Sequence, residues 1–256
     1  MKTLAILLIL ASSFSVAMMT SCTGTSTAKD EMQKPVMESM TAANENEAVE
    51  KDDSENESDE KAVSSVKSQD ANSINYKNMQ DAFKGETTAS AKYAAYSQKA
   101  EAEGYHEIAL LFKAASTSEH IHANNHKAVL EDAGQKVPVI TPEFTVKTTN
   151  ENLKDAIAGE TYEITTMYPE FLKNANTADN QLSLVSLNYA YKTEQKHKPF
   201  YEKALAALES NNVKSLPTIY YICSTCGNTY ETIAPKRCGI SMTSSEKFLK
   251  VTDLNS

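Results

Sequence analysis

The feature that most constrains this chain is a repeat of acids and histidines placed where helices should be apolar. Gly85-Glu86-Thr87 returns as Gly159-Glu160-Thr161, and Glu119-x-x-His122 returns as Glu194-x-x-His197, with Glu-to-Glu separations of 33 and 34 residues. Each copy interrupts an apolar stripe at helical spacing. The spacing predicts four helices, over about 74–103, 105–133, 152–174 and 178–208. Their inward faces read Met79, Phe83, Glu86, Tyr93; then Ile108, Phe112, Glu119, His122, His126, Val129; then Leu153, Ile157, Glu160, Met167; and Leu184, Leu187, Glu194, His197, Tyr201. Within each half, both acidic positions lie about 22–27 Å from the intervening turn at 1.5 Å rise per residue, so they are level and face each other.

Five Glu (Glu163 being the fifth) and two His on inner faces lose hydration and repel one another, so an apolar core would not tolerate them without cations. Two divalent ions supply four positive charges against five carboxylates. Mostly oxygen donors with one imidazole per metal suit iron or manganese better than zinc. Between the two hairpins, Gly134 to Asn150 holds two prolines and no helical stripe. Those 17 residues reach about 56 Å when extended, enough to run the length of a helix. A long crossover between two helical hairpins is the ferritin-like four-helix topology, so the expected fold class is all-α. The expected bundle spans 73–212.

Charge and glycine content exclude other classes. The chain has 25 Lys+Arg against 34 Asp+Glu and only 7 Gly. No basic cluster is present to bind nucleic acid, and no Gly-rich phosphate loop can be read. Most of the net negative charge sits in residues 22–72, which hold 13 acids and 5 bases without apolar periodicity, and are expected to form a disordered tether. Residues 1–21 read as a signal peptide: Lys2 precedes the apolar run Leu4–Leu10, and Met19-Thr20-Ser21-Cys22 follows small residues. That ending resembles a bacterial lipoprotein signal, which implies acylation of Cys22 and an extracytoplasmic, membrane-anchored protein. Ordinary cleavage with Cys22 incidental is the competing reading.

The tail, 216–256, opens Tyr220-Tyr221-Ile222-Cys223-Ser224-Thr225-Cys226-Gly227, like a rubredoxin knuckle, with Ile233 and Phe248 as expected core. A domain this small ordinarily needs a metal. Cys238-Gly239-Ile240-Ser241 follows, with Ser where a fourth thiolate belongs. Three states are open: iron with Ser241 as an alkoxide ligand, another metal such as zinc with water, or a Cys223–Cys226 disulfide.

Taken together, residues 74–252 resemble rubrerythrin. The resemblance rests on Gly85-Glu86-Thr87 with Tyr93, Ser118-Glu119-His120-Ile121-His122, Glu160 with Glu163, Met167-Tyr168-Pro169-Glu170-Phe171, Glu194-x-x-His197, and the tail. It implies a di-iron site held by Glu86, Glu119, His122, Glu160, Glu163, Glu194 and His197. Glu163 has only Ala89 as its counterpart in the first repeat. By resemblance, one iron exchanges Glu163 for His122 as the site changes oxidation state. Tyr93 and Tyr168 fall where the family has tyrosines bonded to ligand carboxylates. The resemblance further implies reduction of hydrogen peroxide to water with electrons from an external donor through a rubredoxin iron at Cys223, Cys226 and Cys238, and a homodimer. A ferritin-like ferroxidase or iron-binding protein is the alternative, and a metal-free interaction module is disfavoured by the buried charges. Pro169 is expected to kink the third helix just past the site. His106 and His120 fall off the inner stripe, and His126 is expected to be core or support rather than ligand.

Overall fold

The computed structural model describes residues 56–255, with side chains from Gln69 onward; the predicted signal peptide and Cys22 lie outside the described residues. The order is α1 (Asn56–Ala102), α2 (His106–Asp132), α3 (Thr149–Tyr162), a π turn (Glu163–Met167), α4 (Tyr168–Thr177) and α5 (Gln181–Glu209). Three short strands follow: β1 (Tyr220–Cys223), β2 (Thr229–Glu231) and β3 (Phe248–Val251). The fold is all-α and ferritin-like, with a small rubredoxin-like sheet at its C-terminal end.

Sequence punctuation ends the helices where expected. Gly104 takes φ +84°, and Tyr105 N donates to Ala100 O at 2.9 Å, closing α1 with a left-handed cap. Thr148 opens α3 with a capping box, its side chain accepting from Glu151 N while Glu151 reaches back to the Thr148 backbone. No helix or strand occurs in the crossover between α2 and α3.

Two expectations need correction. Helix α1 begins at Asn56, inside the stretch expected to be an extended tether. Once the packed part of a helix exists, adding turns costs little. In the third helix the irregularity is a π turn at Glu163–Met167, at the level of the site rather than past it. Pro169 then occupies the first turn of α4, where its missing N–H is tolerated.

Along the bundle, polar residues form a band between two apolar layers. One layer gathers Tyr93, Tyr96, Ile108, Phe112, Leu153 and Tyr201; the other gathers Met79, Leu130, Tyr168 and Leu187. The band between them in sequence carries Glu86, Glu119, His122, Glu160, Glu194 and His197, all buried.

The sheet has order β2-β1-β3, both pairs antiparallel. Tyr220, Ile222 and Val251 join the first apolar layer of the bundle, so the tail shares its core with the helices. Ile233, expected in that core, is 77% exposed, because the chain past β2 turns outward at Thr232 (φ +63°). Phe248 is half-buried and stacks on Tyr230 at 5.6 Å.

Candidate metal centre

Six of the seven predicted ligands converge into two overlapping groups. Glu86, Glu119, His122 and Glu194 offer ligand atoms within 4.8 Å of one another, and Glu119, Glu160, Glu194 and His197 do the same. Glu119 and Glu194 belong to both groups, which makes them bridging candidates. Each helix supplies its share: Glu86 from α1, Glu119 and His122 from α2, Glu160 from α3, and Glu194 and His197 from α5.

The convergence is of a kind that hydrogen bonding alone does not explain. His122 Nδ1 lies 2.9 Å from both Glu119 Oε2 and Glu194 Oε1, and His197 Nδ1 lies 2.8 Å from Glu194 Oε2 and 3.1 Å from Glu119 Oε1. Yet Glu86 Oε2, both oxygens of Glu119 and of Glu194, Glu160 Oε2 and both Nδ1 atoms lack hydrogen-bond partners of acceptable geometry. Eight orphaned polar atoms aimed at one buried space fit cation ligation, since leaving each unsatisfied would be costly.

Electrostatics agree. Burial, reinforced by Glu163 and Glu194, pushes the Glu86 carboxyl well above the usual range, and burial with Glu194 and Glu163 does the same to Glu160. Burial also opposes the charge on Glu119, but His197 and His122 overcome it and hold that carboxyl down at about 2. Burial disfavours His197 as a cation, yet Glu119 and Glu194 raise it to about 9. Such opposed shifts within one cluster show carboxylates competing for too few positive charges.

Tyr93 Oη donates to Glu160 Oε1 at 3.0 Å, and Tyr168 Oη donates to Glu86 Oε1. The bonds cross between halves, each tyrosine holding the other repeat's glutamate. Tyr93 stands seven residues past Glu86 and Tyr168 eight past Glu160. The π turn lies between Glu160 and Tyr168, where it takes up one extra residue and returns Tyr168 to the equivalent position.

Glu163 opens that π turn and is half-buried. It belongs to neither four-residue group, although its charge is felt by Glu86 and Glu160. His106 pairs with Glu101 on the surface at 2.8 Å, and His120 is exposed.

His126 is fully buried in the supporting place expected for it, its Nδ1 2.8 Å from Ser186 Oγ and its Nε2 3.4 Å from Tyr168 Oη. Sequence reasoning missed the other partners around the site. The largest surprise is the tail. His122 Nε2 donates to Cys226 O at 3.1 Å, and His197 Nε2 donates to Thr229 Oγ1 at 3.0 Å. Both imidazoles are thereby set with Nδ1 toward the carboxylates. Ser118 Oγ donates to Gly227 O at 2.7 Å, and Asn125 Nδ2 to Thr225 O at 2.9 Å. Three of these four bonds join partners 100 residues apart or more, and such distant pairs leave no periodic signal.

In the tail Cys223, Cys226 and Cys238 are buried free thiols forming a third ligand group. The Cys223–Cys226 disulfide is thus not the state found.

Comparison with known proteins gives a consistent picture. The rubrerythrin family model matches residues 77–205. Rubrerythrin-2 of Clostridium acetobutylicum is 33% identical over 171 residues, 66% of this chain and 92% of that protein. Nigerythrin of Nitratidesulfovibrio vulgaris is 28% identical over 174 residues, 67% of this chain and 83% of that protein. A nigerythrin structure, described as fully reduced and all ferrous, superposes with a TM-score of 0.61 at 27% identity, covering 69% of this chain and 86% of that one.

Proposed function

Because the chain belongs to the rubrerythrin family, whose members bind a di-iron centre, we propose that it is an oxidoreductase reducing hydrogen peroxide to water with electrons from an external donor. The observation that carries this reading is the set of eight unpartnered oxygen and nitrogen atoms converging from four helices. Glu86, Glu119, His122, Glu160, Glu194 and His197 would hold the iron pair. When bound, that pair supplies two electrons, the number that cleaving one peroxide bond consumes.

The chain's own groups do the rest. Tyr93 and Tyr168 orient the terminal carboxylates through their hydroxyls. The two apolar layers exclude water, so every charge in the band acts at low dielectric. Glu163 stands beside the cluster as an additional carboxyl that the first repeat lacks, which supports a redox-dependent exchange with His122 over a fixed six-ligand site. The Lys2 to Cys22 segment supports anchoring of the protein outside the cytoplasm by a lipid on Cys22.

The test is anaerobic. Iron-loaded, reduced protein is mixed with equal concentrations of peroxide or dioxygen, and oxidation is followed by stopped-flow absorption. Faster oxidation by peroxide is expected. Preference for dioxygen with release of ferric iron would overturn the reading in favour of a ferroxidase, the alternative that Ser241 favours by altering the tail's ligand set.

A further inference from the structure

The C-terminal thiol pocket departs from a four-thiolate site in one donor, and its surroundings show what that donor does. Cys226 Sγ lies 3.4 Å from Cys238 Sγ, and all three sulfurs lie within 4.8 Å of one another. Ser241 closes the fourth corner. Its Oγ stands 3.2 Å from Cys223 Sγ and 2.8 Å from Thr243 Oγ1, and Thr243 Oγ1 donates onward to Thr225 Oγ1 at 2.8 Å. With Thr243's proton directed to Thr225, Ser241 is the donor to Thr243, and its oxygen lone pairs are left facing the sulfurs.

The pocket is also built for negative sulfur. Cys238 Sγ faces Ile240 N at 3.5 Å, Tyr230 Oη at 3.5 Å and Asn228 Nδ2 at 3.7 Å, three donors on one sulfur. Asn228 is fully buried. Residues 232–247, between β2 and β3, form no strand and fold around Cys238 through the Arg237–Ser244 bridge and backbone bonds that include Cys238 N to Thr243 O at 2.8 Å and Ser245 N to Lys236 O at 3.1 Å. Tyr220, Ile222 and Val251 of the sheet pack on the bundle, whereas Tyr230, Ile240 and Phe248 pack against the cysteines, so that the cysteine cluster is the centre about which this segment is ordered.

We propose that Ser241 supplies the fourth donor, through its hydroxyl oxygen, to the divalent cation of the zinc or ferrous-iron class that the Cys223, Cys226 and Cys238 thiolates of the rubredoxin-like tail would hold. Three thiolates and a neutral hydroxyl leave a divalent ion with one net negative charge, one less than four thiolates would. Thr243 and Thr225 orient the hydroxyl from outside, as hydrogen-bond partners commonly do for metal ligands.

Cobalt(II) added under anaerobic conditions to the full chain carrying Cys22→Ser is the probe, because the three remaining cysteines all lie in the tail and only they can give thiolate-to-cobalt charge-transfer absorption. Saturation of that band at one equivalent per chain is expected, with Zn2+ or Fe2+ competing it away. Ser241→Ala should weaken cobalt binding about tenfold or more, Ser241→Thr should retain it, and Ser241→Cys should raise the band in step with the added thiolate. Absence of the band, failure of both ions to compete, or unchanged affinity and spectrum in Ser241→Ala would overturn the assignment. Should the alanine variant misfold, Ser241→Cys decides alone, since an unchanged band there places residue 241 outside the coordination sphere.

Discussion

Cys226 and His122 are joined by a hydrogen bond of 3.1 Å from the imidazole Nε2 to the backbone carbonyl, while the thiol of the same cysteine belongs to the tail cluster. One residue therefore reports on two sites. Its neighbour Gly227 takes φ +75°, and a side chain there would collide with the His122 ring and with Ser118 Oγ. Gly227→Ala is expected to destabilise the protein by about 1–3 kcal/mol through strain and overpacking, and to lower iron retention in the bundle. Thermal unfolding and iron counting check this; a normal iron content would show that the tail does not position His122.

Tyr93→Phe and Tyr168→Phe each remove one hydroxyl and little volume. The Glu160 and Glu86 carboxylates then lose their fixed donors. Metal affinity should fall about 10- to 100-fold in each variant, with secondary structure intact. Competition against a chromophoric chelator measures it, and the crossed pairing predicts losses of similar size from the two halves.

Glu163→Ala copies the Ala89 of the first repeat. Both metals should still bind, because six ligands remain, but peroxide turnover should slow. Unchanged turnover would remove Glu163 from the chemistry.

Acid stability offers a separate check on His126. Burial, helped by the neighbouring His122, holds its pKa down at about 3, so the folded protein keeps it neutral. Unfolded chains bind its proton near pH 6.5. Stability from this group is therefore complete above about pH 6.5 and is lost as pH falls toward 3, by up to about 1.4 kcal/mol per pH unit. In metal-free protein, His126→Gln should flatten the acid side of the melting-temperature profile relative to the parent. Parallel profiles would mean that His126 is not buried neutral.

The bundle and all six converging side chains were legible because buried charge breaks a helical stripe in a way that composition cannot hide. Glu86, Glu119, Glu160 and Glu194 announce themselves by spacing, and the 17-residue crossover announces the connectivity. Contacts of the tail with the bundle were not legible, since Ser118, Thr193 and Thr229 look like any small polar residues until tertiary structure places them against Gly227, Cys226 and His197. Ile233 misled because hydrophobicity was taken for burial in a domain whose inner face belongs to the bundle. The π turn was invisible for another reason: it changes backbone winding without changing residue character.

That turn accounts for a small discrepancy in the repeat. The Glu-to-Glu spacing is 33 residues in the first half and 34 in the second, and the tyrosine offset grows from seven to eight. Both differences equal one residue, and both spans include Glu163–Met167. A single codon gained in one of two duplicated hairpins would produce them together. The strand of helix would then have absorbed its surplus by local overwidening, keeping every older ligand in register while creating one position with no twin. A duplicated hairpin can thus gain a residue beside its metal site without moving any ligand out of line with its twin.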